Sequence, residues 1–131
     1  MSPFEQLDYL YQSSRDTAAD LRYYEEVLGA RVVFAIDGMG ARVAMLELGE
    51  PPPHLLLADH LEGEAPVLVY RVANLDAAMA ILRERGWQGG TRLEIPQGPI
   101  CSFVDSGGHR LAIYQVTRPQ VIESFAGRRD F

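Results

Sequence analysis

The chain has a single cysteine, Cys101, in 131 residues, so no disulfide can form within it. It has no apolar run approaching the roughly 18 residues that would span a bilayer, and its first residues lack the basic start and apolar stretch of a secretory signal. Clustered positive charge is missing too: 12 Lys plus Arg stand against 18 Asp plus Glu, for a net charge of -6 and a pI near 5.0. Nucleic acids and anionic membranes are bound through concentrated Lys and Arg, so this balance argues against both as partners. Together these absences predict a cytoplasmic protein whose partner is a small molecule, cationic or neutral by the charge. What the chain does have is core material. With 47% apolar residues it can bury a core and fold alone, as one domain over 1–131.

The chain repeats itself. Tyr9-Leu10-Tyr11-Gln12 followed by Asp16-Thr17-Ala18-Ala19-Asp20-Leu21 is matched by Leu68-Val69-Tyr70-Arg71 followed by Leu75-Asp76-Ala77-Ala78, with Gly29 matching Gly86 and His54 matching His109. Two copies are too few for a solenoid and imply two similar halves that share a site. Each half reads as strand, helix and three strands. In the first, Leu7 to Gln12 is a strand, and Asp16 caps a helix whose stripe is Leu21, Tyr24 and Leu28, closed by Gly29. Arg31 to Ile36 and Arg42 to Leu48 form a hairpin about Asp37-Gly38-Met39-Gly40. Gly38-Met39-Gly40 resembles a phosphate loop only superficially, since no helix and no Lys-Ser/Thr follow it. After the stiff Pro51-Pro52-Pro53 loop, His54 to Asp59 is the fourth strand. The polar connection from His60 to Pro66 divides module 1, about 7–60, from module 2, about 67–116.

In module 2, Val67 to Val72 is a strand and Asn74 caps a helix with Leu75, Ala78, Met79 and Leu82 on one stripe, closed by Gly86. Thr91 to Ile95, Ile100 to Val104 and Arg110 to Gln115 are strands, the last two joined by Asp105-Ser106-Gly107-Gly108. A tail, 117–131, carries a short helix from Gln120 to Ala126 between Pro119 and Gly127. The fold class is α+β, with two βαβββ modules.

Residues opposite one another across a ladder share a face. Centring the last turn on Ser106-Gly107 sets Phe103 opposite Arg110 and Cys101 opposite Ala112, and centring the proline loop sets Glu47 opposite Leu55 and Met45 opposite Leu57. One face then carries Leu46, Leu48, Leu56, Ala58, Val104, Leu111 and Ile113, all apolar, for the helices to cover. The other carries Met45, Glu47, Leu55, Leu57, Asp59, Cys101, Phe103, Arg110, Ala112 and Tyr114, joined by Tyr9 and Tyr11. Such a mixed face suits a ligand cavity, a partly solvated surface or a dimer contact. As a cavity it would offer Tyr9, Tyr11, Phe103 and Tyr114 for stacking, and Glu47 and Asp59 against only Arg110 would make it acidic.

The stretch from Asp16 to Leu28-Gly29, the repeat Val72-Ala73-Asn74-Leu75-Asp76-Ala77, Arg85-Gly86 and the ending Phe103-Val104-Asp105-Ser106-Gly107-Gly108-His109-Arg110-Leu111 resemble the vicinal oxygen chelate superfamily, which includes glyoxalase I, bleomycin-resistance proteins and extradiol dioxygenases. The resemblance covers roughly 7–116 and implies two modules forming a cupped sheet, commonly completed by dimerisation. Family enzymes hold a divalent metal with His or Glu side chains from the first and fourth strands of each module. Those positions carry Tyr9, Leu57, Val67 or Leu68, and Ala112, none a usual ligand, so no metal and no cofactor is expected.

Among groups able to do chemistry, His54, His60 and His109 read as strand-start, loop and turn residues, and Cys101 as a packed thiol with no base beside it. Glu47 is either a raised-pKa base or cation anchor, or the partner of Arg42 or Arg110. The leading expectation is a metal-independent small-molecule binding protein, acting as a homodimer. Two alternatives stay open: a metal-free lyase or isomerase with Glu47 as base and Tyr9 or Tyr11 as acid, and a regulatory or protein-binding domain.

Overall fold

Phe4–Ser13 (β1), Thr17–Arg22 (α1), Arg31–Gly38 (β2), Ala41–Glu47 (β3) and His54–Ala58 (β4) make the first half of the computed structural model. Val67–Val72 (β5), Leu75–Glu84 (α2), Thr91–Ile95 (β6), Gly98–Val104 (β7) and Arg110–Tyr114 (β8) make the second, and Gln120–Phe125 (α3) follows. Residues 2–38 and 40–131 are described; Met39 of the β2–β3 turn lies outside them. The eight strands form one mixed sheet, β2-β3-β4-β1-β5-β8-β7-β6, curled into a half-barrel. The two βαβββ halves meet where β1 and β5 run antiparallel, while β4 and β8 lie parallel to the first strand of their own half.

Local chemistry accounts for the helices. Asp16 accepts from Ala19 N and Asn74 from Ala77 N, each satisfying an otherwise unpaired first-turn amide. Gly29 and Gly86 terminate the helical segments at φ +75° and +96°, conformations that disfavour side chains. The first helix does not stay α-helical: Tyr23–Val27 is a π-helical turn, with Leu28 N donating to Tyr23 O. That wider turn rotates Leu28 off the stripe of Leu21 and Tyr24, leaving it 45% exposed.

Strand register departs from symmetric-turn geometry by one residue in both hairpins. Met45 pairs with Leu56 and Leu46 with Leu55, because the prolines cannot donate and pairing resumes only at the end of the loop. Cys101 pairs with Ile113 and Phe103 with Leu111. There the Asp105 carboxylate accepts from the amides of Gly107 and His109, widening the turn by a residue. Side chains alternate with period two, so each slip reverses a face.

Leu57, Cys101 and Phe103 therefore point at the helices and not into the cup. Leu57 packs with Leu21 and Leu46, Cys101 with Leu75 and Met79, and Phe103 sits edge-on to Trp87 at 5.3 Å. Leu56 takes the inward place expected of Leu57. Leu48 and Val104, expected under the helices, are exposed.

The tail covers one edge of the sheet. Helix α3 lies against β2 with Phe125 edge-on to Phe34 at 5.5 Å, and Ile122 and Phe125 close that end of the cup. Gly127 N then donates to Val33 O, Ala35 N to Arg128 O and Asp130 N to Ala35 O, so residues 127–131 run along β2. Phe131 ends on the opposite, helix-covered face.

Candidate functional site

The middle of the cup is apolar. Tyr9, Phe34, Met45, Leu56, Val67, Val69, Ala112 and Tyr114 form one buried cluster there. A divalent metal needs several oxygen, nitrogen or sulfur donors converging on one point. Of the positions that the resemblance set aside for a metal, Tyr9, Val67 and Ala112 fall within this cluster and Leu57 does not, Leu56 standing in its place; Tyr9 is a phenol and the others have no donor atom. These residues do not fit the metal. Among the described residues, no group of three or more His, Cys, Asp or Glu side chains is placed to hold one.

Polar groups gather at the two ends of the cup. At the end where β1 finishes, Tyr11 shares a hydrogen bond of 3.1 Å with His60, and burial together with nearby Asp59 pushes its hydroxyl up to about 12. Asp59 accepts from Arg42 N at 2.9 Å, and Arg110 donates to Glu62 O at 2.6 Å.

At the opposite end lies a cleft of about 260 Å³ bounded by Gln6, Asp8, Tyr9, Pro51, Pro52, His54 and Arg71. Asp8 is its most buried polar group, 4% exposed. One carboxylate oxygen accepts from Gln6; the other accepts from Arg71 Nε at 2.8 Å and from the Tyr114 hydroxyl. Burial, then the bond to Asp8, pushes the Tyr114 hydroxyl far up, so it remains a donor.

Glu47 sits at the rim, on the cup face with Met45. Its partner is Arg31, neither Arg42 nor Arg110: Arg31 Nε lies 3.1 Å from Oε2 and its second nitrogen 3.1 Å from Oε1. Hydrogen bonding to Arg31 holds the carboxyl below its ordinary range, opposite to the raised pKa that a base would use. His54 Nε2 lies 3.9 Å away on the cleft side. Cys101 is a buried thiol pushed up by desolvation, which removes it from nucleophilic chemistry.

Of the expected site residues, Tyr9, Met45, Ala112 and Tyr114 are brought together in the cup, Tyr11, Asp59 and Arg110 gather at one end, and Glu47 stands at the other. Asp8, Arg71, Gln6 and His54 were not anticipated as site residues. Strict alternation assigns Asp8 to the face opposite Tyr9. The β1–β5 register shifts between Leu7 and Tyr9, and this bulge brings Asp8 round to the cup beside Tyr9. One signal was available: a charged residue inside each central strand, Asp8 in Leu7-Asp8-Tyr9-Leu10 and Arg71 in Val69-Tyr70-Arg71-Val72.

The topology, the two symmetric halves and the cup match known structures. Methylmalonyl-CoA epimerase from Mycobacterium tuberculosis superposes with a TM-score of 0.71 at 20% identity, covering 91% of this chain and 93% of its own. This is the glyoxalase/bleomycin-resistance fold. A hypothetical protein from Bacillus halodurans gives a TM-score of 0.73 at 16% identity over 86% of this chain and 95% of its own. A variant of the Streptomyces coelicolor methylmalonyl-CoA epimerase, in complex with 2-nitronate-propionyl-CoA, gives 0.72 at 18% identity over 88% and 96%. No protein-family model matches this chain, and no curated protein does. No helix among the described residues is long and apolar enough to cross a membrane.

Proposed function

We propose that this chain is a metal-independent small-molecule binding protein of the glyoxalase/bleomycin-resistance type, taking its ligand in the cleft beside Asp8, Arg71 and His54. One observation carries the reading: the strand positions that would hold a metal are packed as an apolar cluster, and a cleft with convergent polar groups opens directly beside it. A lyase or isomerase using Glu47 is less well supported, since Arg31 already pairs with that carboxylate and makes it a weaker base. The reading includes a homodimer, for which the edge strand β6 and the exposed Tyr23, Val27 and Leu28 offer surface.

A thermal-shift screen across metals, carboxylic acids, amides and amines, with elemental analysis after dialysis, tests the proposal. Stabilisation by an organic compound without stoichiometric metal is expected. One zinc, nickel, manganese or iron held per chain would overturn the metal-independent part, and light scattering at a monomer mass would overturn the dimer.

A further inference from the structure

Asp8 and Arg71 form a pair of unequal exposure: the Asp8 side chain is 6% exposed and that of Arg71 42%. A buried ion pair is a weak way to stabilise a fold, because desolvation offsets most of the attraction. Its geometric effect is plainer. Gln6 and Tyr114 fix the carboxylate, the carboxylate holds Arg71 by its Nε, and the guanidinium stands at the wall of the cleft. A guanidinium has five N–H donors in a planar fork, and its contacts with Asp8 and Tyr114 leave most of them for a ligand.

Resting on the small-molecule reading above, we infer that Arg71 receives the carboxylate of a small ligand whose flat apolar part lies against Tyr9, His54, Pro51 and Pro52. The planar fork matches a carboxylate with two parallel hydrogen bonds. The Asp8 charge beside it opposes a dianion more than a monoanion, which favours a carboxylate over a phosphate. The cleft is also lined by the Tyr9 and His54 rings, 6.3 Å apart between centroids, and by two proline rings. The cleft is smaller than the roughly 300 to 1,000 Å³ of drug-sized sites, so the ligand is of the size of a single ring with a short acid arm. This replaces the cationic or neutral ligand that the excess of acidic residues suggested, because Glu47 and Asp8 each already carry an arginine.

The test uses four matched probes, phenylacetate, phenylacetamide, phenethylamine and phenyl phosphate, titrated into the full chain at low salt with amide NMR shifts as readout. Phenylacetate is expected to bind most tightly and to move the signals of Tyr9, His54 and Arg71. Arg71→Gln should lower its affinity about 10- to 100-fold, the effect of losing hydrogen bonds to a charged group, and leave phenylacetamide unchanged. If that variant does not fold, Arg71→Lys keeps a cation beside Asp8 but loses the fork, and an intermediate loss of phenylacetate affinity is expected. Equal or tighter binding of the amide, the amine or the phosphate at these residues would overturn the carboxylate assignment while leaving the small-molecule reading intact. Undiminished phenylacetate binding by the Arg71 variants would do the same. If none of the four probes moves the cleft signals, the carboxylate assignment falls, and the thermal-shift screen decides the small-molecule reading separately.

Discussion

Two carboxylates stand on the cup face, each paired with an arginine, and they differ in almost everything else. Asp8 is buried, lies on a central strand and accepts from three side chains. Glu47 is at the rim, with its side chain 14% exposed and that of its Arg31 partner 72% exposed, so the pair is open to solvent on the arginine side. Water and salt screen an exposed pair, so geometry alone makes it worth little. A buried carboxylate with three donors cannot lose one without stranding the others in a poorly solvated place. Glu47 is thus an adjustable rim charge, whereas Asp8 is a fixed part of the architecture that sets where Arg71 points.

The contrast breaks first at Asp8. Asp8→Ala leaves Arg71 and the Tyr114 hydroxyl without their acceptor, and chemical denaturation should show a loss of about 3 to 5 kcal/mol. Tyr114→Phe removes one donor to the same carboxylate and should cost about 1 to 3 kcal/mol by the same method. Equal small losses at both sites would show that Asp8 is not the organising group.

A pH series sharpens the difference further, because the two sides respond at opposite extremes. The Tyr114 hydroxyl, which donates to Asp8, has a pKa raised above the ordinary 10.0, so the stability it contributes is complete below that pH and is lost as pH rises; Tyr11, at the far end of the cup, behaves in the same sense. Absorbance titration should show Tyr11 and Tyr114 ionising at a higher pH than a free tyrosine. Glu47 is lowered from the ordinary 4.5, so its contribution is present above that pH and is lost on acidification. Glu47→Gln should therefore lower the melting temperature only slightly at neutral pH, the smallest effect of the series, and its difference from the unchanged chain should close as the pH falls through the carboxylate range.

Much of the fold was legible along the chain. The internal repeat carries the two halves, and Asp16, Asn74, Gly29 and Gly86 mark helix ends by local hydrogen bonding and backbone freedom, which neighbouring residues decide. The site was less legible. Tyr9, Met45, Ala112 and Tyr114 were read onto the correct face, but Leu57, Cys101 and Phe103 were displaced by one-residue slips in two hairpins. Those slips depend on how a proline loop and an Asp-centred turn close, and the length of a turn does not reveal it.

Residue order along the chain carries which residues are apolar and which side chains cap and close the helices, since each of these depends on a residue and its near neighbours. That Asp8 joins Tyr9 on the cup face follows from the bulge in its pairing with β5, which no local pattern along the chain carries. The same holds for its partners, because Arg71 is brought to Asp8 from β5 and Tyr114 from β8. The physical reason is that a bulge is set by pairing with another strand, and a buried charge by donors distant in the chain.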